Sequence, residues 1–143
     1  MDYKLIGKLK IEQLQNCFSK IVTNEVILRN DRAEHIITRR GEEFFLNYAP
    51  LFASIVENPD YILQDNKPNT VLMCKKIQDK NKSINLVVRL AVEDDNPNYK
   101  NSIITAVEIC RNVCYNKKRL KESEKSEWSF PNFGFYTFSF HWQ

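Results

Sequence analysis

The spacing of apolar residues changes part-way along this chain. "YKLIGKLKI" (Tyr3 to Ile11) alternates apolar and charged positions, as a strand does. "EQLQNCFS" predicts a short helix, and "EVILRN" a second strand rich in branched residues. "NDRAEHIITRR" switches to helical spacing. At about 100° per residue, Ala33, Ile36 and Ile37 gather on one side, while Arg32, His35 and Arg39 fall within about 60° of each other opposite them. Asn30 or Asp31 is the natural N-cap, and Gly41 is the stop. In "EEFFLNYAPLFASIVENPD", Phe45, Tyr48, Phe52 and Ile55 keep the helical period, and Pro50 predicts two pieces joined at Ala49.

From "YILQDN" onward the pattern is that of a sheet. "TVLMCKKIQ", "INLVVRLAV" and "SIITAVEIC" are separated by "DKNKS" and by a loop at Asn96, which predicts an antiparallel meander. "INLVVRLAV" is the most apolar and belongs at the centre. "NVCYNKKRLKES" reads as a basic helix. Helices first and strands afterwards give an α+β fold, with N-terminal helices packed on one face of an antiparallel sheet.

Composition narrows this picture. The chain has 143 residues, 43% of them apolar, which suits one globular domain. That domain is expected over residues 1–127, with an aromatic extension over 128–143. A net charge of +3 is compatible with nucleic-acid binding without demanding it. No run of about 18 apolar residues predicts a membrane span, and "MDYKLIGKLK" lacks a signal-peptide core, so a cytoplasmic protein is expected. With three glycines and no glycine-rich loop, Walker and Rossmann nucleotide sites are disfavoured. Cys17, Cys74, Cys110 and Cys114 have neither CxxC nor zinc spacing and read as reduced thiols.

Three places carry candidate chemistry. His35 sits among arginines that would lower its imidazole pKa and keep a neutral base available, while Arg39 could grip a phosphate with two hydrogen bonds. A surface histidine on a solvated face fits the same pattern. Arg89 interrupts "LVVRLAV", where a charge needs either a ligand or a partner such as Glu93 or Glu108. "NPNYKNSIITA" (Asn96 to Ala106) is either a plain turn into a sheet or a site on its lip. "EDD" (Glu93 to Asp95) reads as turn chemistry rather than a magnesium site, and neither metal nor cofactor is expected.

"RAEHIITRRGEEF", "IVENPDYILQDN", "NLVVRLAV" and "NPNYKNSIITA" together resemble, in this order, the phage-associated branch of the barnase–EndoU–colicin–RelE-like nucleases (the BECR fold). The resemblance runs from about Lys4 to Leu120. It implies one or two N-terminal helices on a four-stranded, or slightly larger, antiparallel sheet whose exposed face holds the active site. It implies a small metal-independent ribonuclease, commonly a phage or mobile-element toxin acting in a bacterial cell, with RNA as substrate and a cognate immunity protein as possible partner. Under it, His35 takes the acid or base role, and Arg39 or Arg32, with Arg89, stabilises charge. Lys100, Asn101, Ser102 and Thr105 complete the site, with Tyr115 and Lys117 as further candidates. Thr105 shares strand parity with Ile103 and Val107 and fits the core equally well.

One departure stands out. The family helix often ends in "RH", whereas this one ends in Arg39 and Arg40, and His141 lies far away in the tail. A member without catalytic activity, binding RNA or a protein, is therefore the alternative. The tail "WSFPNFGFYTFSFHWQ" holds eight of seventeen aromatic residues, alternating from Tyr136 onward. It reads as an added strand or wrap, a partner surface or a base-stacking segment.

Overall fold

A computed structural model of the chain describes residues 2–14, 18, 20–77, 81–110 and 119–122. Strand β1 (Tyr3–Lys8) is followed by β2 (Glu25–Arg29) and by helices α1 (Asn30–Arg40), α2 (Glu42–Tyr48) and α3 (Phe52–Glu57). Strands β3 (Tyr61–Gln64), β4 (Thr70–Ile77), β5 (Lys82–Arg89), β6 (Asn101–Cys110) and β7 (Arg119–Glu122) follow. They form one seven-stranded sheet in the order β1-β2-β6-β5-β4-β3-β7. The fold is α+β, as the succession of periods predicts, and β5 lies at its centre.

The helical punctuation follows the sequence. Gly41 ends α1 at φ +100°, a conformation that L side chains avoid and glycine tolerates, and its N–H closes the last turn on the Ile37 carbonyl at 2.8 Å. Pro50 sits in a 3-10 turn, Ala49–Leu51, that separates α2 from α3. The cap differs: Arg29 holds that position and no side chain caps it, because β2 runs straight into α1.

With seven strands the sheet exceeds the four, or slightly more, that the resemblance implies, and it is not wholly antiparallel. β1 and β2 add to the β6 edge, where β2 runs parallel to β6 through the pairs Val26–Asn101 and Ile27–Ser102. β7 adds to the other edge by pairing with β3, so Arg119–Glu122, read from sequence as helix, is a strand. The open edge of β3 offers unpaired backbone groups, and satisfying them outweighs a modest helical propensity. The segment read as a first helix shows a single 3-10 turn at Ile11–Gln13, and residues 15–17 and 19 lie outside the described part. The aromatic tail also lies outside it.

Alternation along the strands divides the core in two. Ile62, Met73, Leu86, Val88 and Ile103 pack with Ile36 of α1 and with Phe52, Ile55 and Val56 of α3. Tyr61, Leu63, Leu72, Cys74 and Val87 form a second cluster on the opposite face. Burial on both faces explains why "INLVV" is apolar almost without interruption. Phe52 is fully buried, and its truncation to alanine would remove about 3–5 kcal/mol.

One irregularity in β6 matters for the site. Val87 pairs with Thr105 and Val88 with Ile103, so Ile104 is an extra residue in β6, a β-bulge. Thr105 therefore faces the Val87 side together with Val107, opposite Ile103, so the parity expected from sequence holds with Val107 and fails with Ile103.

Candidate active site

The position of α1 follows from how little of β6 is covered by β2. Their pairing ends at Ser102, which leaves β6 carbonyls beyond it open along that edge. Helix α1 seals the gap: Ile36 enters the core, and Arg40 Nε donates to the Ala106 carbonyl at 3.0 Å. Asn30 and Ala33 line an apolar cavity with Phe45 and Phe52, which marks the flank of α1 turned toward α2 and α3. On the helical wheel, Arg32, His35 and Arg39 fall on the other flank, away from α2 and α3.

His35 is partly buried there. Burial holds its imidazole below the usual histidine range, and the Arg32, Arg39 and Arg40 charges push in the same direction. The group is therefore neutral at neutral pH and able to accept a proton.

A second group of candidates surrounds a cavity of about 340 Å³ at the N-terminal end of α1. Arg89, Lys100 and Ser102 line it, together with Tyr3, Arg29 and Tyr99. Strand pairing accounts for this meeting. Tyr3 faces Arg29 across β1 and β2, Ile27 faces Ser102, and Ser102 faces Arg89, so all of them project from the sheet face opposite α2 and α3.

The cations here already have partners. Arg89 holds Asp95 through hydrogen bonds of 3.0 and 3.2 Å and also donates to the Leu90 carbonyl. The partner is thus neither Glu93 nor Glu108. Glu108 accepts instead from the Tyr48 hydroxyl at 2.6 Å and pairs with Lys82 at 3.0 Å, and the Tyr48 pKa is pushed up to about 12, chiefly by that hydrogen bond. Lys100 Nζ lies 2.8 Å from Glu25, and Arg29 Nε lies 3.2 Å from Asp31.

Two other candidates are interior. Asn101 is fully buried; its side-chain Oδ1 accepts the Ala91 N–H at 2.7 Å and its Nδ2 donates to the Thr23 and Glu25 carbonyls at 2.7 and 2.9 Å. These contacts leave no room for a substrate. Thr105 is 2% exposed, and its hydroxyl has no hydrogen-bond partner among the described residues. Tyr115 and Lys117 lie outside the described residues.

"NPNY" is a turn, as its composition suggests. The Tyr99 N–H returns to the Asn96 carbonyl at 2.9 Å, with Pro97 in the second position, and Asn96 Oδ1 accepts the Asn98 N–H at 2.9 Å. "EDD" is likewise a turn, closed by Asp95 N–H on the Val92 carbonyl at 2.9 Å. Among the described residues, no cluster of three or more His, Cys, Asp or Glu side chains could hold a metal ion, and no helix is long and apolar enough to cross a membrane.

This arrangement sits inside a family match. The model for the phage-Barnase-EndoU-ColicinE5/D-RelE like nuclease2 family matches residues 2–125, which takes in α1, the meander and the cavity. The chain belongs to this nuclease family. No match was found among curated proteins or among solved structures. In this nuclease-family chain, sequence reasoning missed Arg40 as a seal on β6. It also missed Tyr3, Arg29 and Tyr99 as cavity walls. Tyr99 lay within the quoted loop, but the pairing of β1 with β2 that brings Tyr3 and Arg29 there has no local signal.

Proposed function

We propose that the chain is an endoribonuclease that needs no metal, cutting RNA by attack of the 2′-hydroxyl on the adjacent phosphorus. His35 takes the hydroxyl proton as the new P–O bond forms, while Arg32 and Arg39 offset the charge growing on the phosphorane. The bond to the 5′-oxygen then breaks. That oxygen takes a proton from the imidazolium or from solvent, leaving a 2′,3′-cyclic phosphate. The observation carrying this reading is the partly buried, neutral His35 among three arginines, on a helix inside the nuclease-family match. A toxin acting in the host cytoplasm, held in check by an immunity protein, is the corresponding biological role.

The test is cleavage of RNA in EDTA by the purified protein and by His35→Ala, with the products' ends analysed. Intact RNA at high protein concentration sinks the proposal. A second reading, a member that binds RNA or a protein without cutting, is favoured by Arg89, which is committed to Asp95, and by Arg40, which is bonded to the sheet at the place of a second histidine. It predicts binding that His35→Ala leaves unchanged.

A further inference from the structure

We infer that the cavity among Tyr3, Arg29, Arg89, Tyr99, Lys100 and Ser102 is a subsite for one unstacked nucleotide of a single strand, next to the one processed at His35. This rests on the nucleic-acid reading above and adds to it a requirement for single-stranded substrate.

The first support is the lining. Three cations, two tyrosines and a serine hydroxyl converge on a space of about 340 Å³, near the lower end for small-molecule sites and too small for a duplex. Among the described residues, no carboxylate belongs to the wall. The side chains of Arg29 with Asp31 and of Lys100 with Glu25 keep 57% and 66%, and 34% and 35%, of their surface open. An ion pair as exposed as Arg29 with Asp31 is weak, so Arg29 can turn to a phosphate, while Lys100, half-buried against Glu25, presents its ammonium from that pair. Arg89 is different: its bonds to Asp95 and Leu90 hold it still, and it contributes fixed charge.

The second support is Tyr99. The residue is 57% exposed, yet its backbone is fixed by the turn that begins at Asn96. An exposed aromatic on a rigid turn is a ready stacking platform, since little freedom is lost when a base lands on it. Stacking requires a base freed from its neighbours, which single strands and loops provide and helices do not.

The third support is position. Arg29 directly precedes α1, and His35 lies five residues beyond Asn30, a rise of about 7.5 Å. The cavity lies on the sheet face opposite α2 and α3, and on the helical wheel Arg32, His35 and Arg39 turn away from the flank of α1 that meets those helices. A strand with its base on Tyr99 and its phosphate at Lys100 and Arg29 therefore continues toward His35.

The experiment uses a fluorescein-labelled 2′-O-methyl oligonucleotide, which cannot be cut by 2′-hydroxyl attack, and a hairpin duplex of the same composition. Fluorescence anisotropy across a salt series is measured for the wild-type chain, Tyr99→Ala, Tyr99→Trp and Lys100→Gln, each first checked for native thermal unfolding. The single strand should bind more tightly than the duplex. Tyr99→Ala should weaken it about tenfold with little change in salt slope. Tyr99→Trp should retain binding, and Lys100→Gln should lower the slope by roughly one counterion. No binding by the wild type, equal binding of duplex and single strand, or Tyr99→Ala at wild-type affinity would overturn the inference. Oligonucleotide binding that depends on Tyr99, with RNA left uncut, keeps the subsite and removes only the ribonuclease reading. RNA cleavage with binding indifferent to Tyr99 does the reverse.

Discussion

The Arg89 guanidinium grips the Asp95 carboxylate through two hydrogen bonds, 3.0 and 3.2 Å long, across the turn that ends β5. This is how a charge is accommodated beside an apolar strand: the chain reverses and brings a fixed anion back to it. The same carboxylate accepts the Val92 N–H at 2.9 Å, so it organises the turn as well as the arginine.

Removing that carboxylate should loosen both. Asp95→Ala leaves a partly buried guanidinium and a turn N–H without their acceptor, and should lower stability by about 1–3 kcal/mol. The urea midpoint checks this. The Val92 N–H and Arg89 hold the Asp95 carboxyl below its ordinary range, so its stabilisation is complete above the unfolded aspartate pKa of about 3.9 and is lost as pH falls below it. An Asp95→Asn variant should show a shallower loss of stability in that acidic window.

His35 supplies a sharper pH signature. The wild-type rate should rise with pH through an apparent pKa below the histidine reference of about 6.5 and level off by neutrality. Arg32→Gln removes one of the charges that depress the imidazole, so the acidic limb should move to higher pH. His35→Ala should slow cleavage by about 10²–10⁴-fold with native unfolding behaviour. A limb that Arg32→Gln does not move would detach the titration from His35.

Asn101 should behave as a structural residue. Asn101→Ala strands three buried or partly buried backbone groups that its side chain now satisfies, and should destabilise by about 3 kcal/mol. Circular dichroism on thermal melting reads this. Affinity per folded molecule for an uncleavable oligonucleotide should stay at the wild-type value.

Cys74 should resist thiol reagents in the native state. It is buried among Tyr61, Leu72 and Val87, and burial pushes its thiol pKa far above the usual range, so almost no thiolate exists. Iodoacetamide labelling read by peptide mass spectrometry should find this site unmodified until denaturant is added.

Much of the fold was legible because it is local. Period-two alternation gave the strands of the meander, Gly41 and Pro50 punctuated the helices, and the wheel set His35 among arginines. Other features are settled by distant partners. The bulge at Ile104 is silent in sequence, since Ile103 and Ile104 are both apolar, yet it reverses Thr105. The strand β7 depends on a free edge of β3, and the parallel contact of β2 with β6 joins residues far apart in the chain. Within the site, Arg89 was legible as a charge interrupting an apolar strand, whereas Lys100 and Ser102 came with the resemblance at the mouth of the next strand. Asn101 came with the same resemblance, although strand alternation sets it on the face opposite Ser102.

The two-residue contact between β2 and β6 also bears on how the molecule opens and closes. Strands β4 to β6 are neighbours in sequence as well as in space and can assemble from local contacts. The β1–β2–α1 unit must dock across a long loop closure, through that short joint, the Arg40 bond to Ala106, and the Asn101 and Lys100 contacts with Thr23 and Glu25. Such a joint is a natural seam for partial unfolding, with exchange of the β1 and β2 amides preceding that of the meander. Because α1 travels with this unit, opening the seam would carry His35 away from the sheet and leave the remaining strands intact.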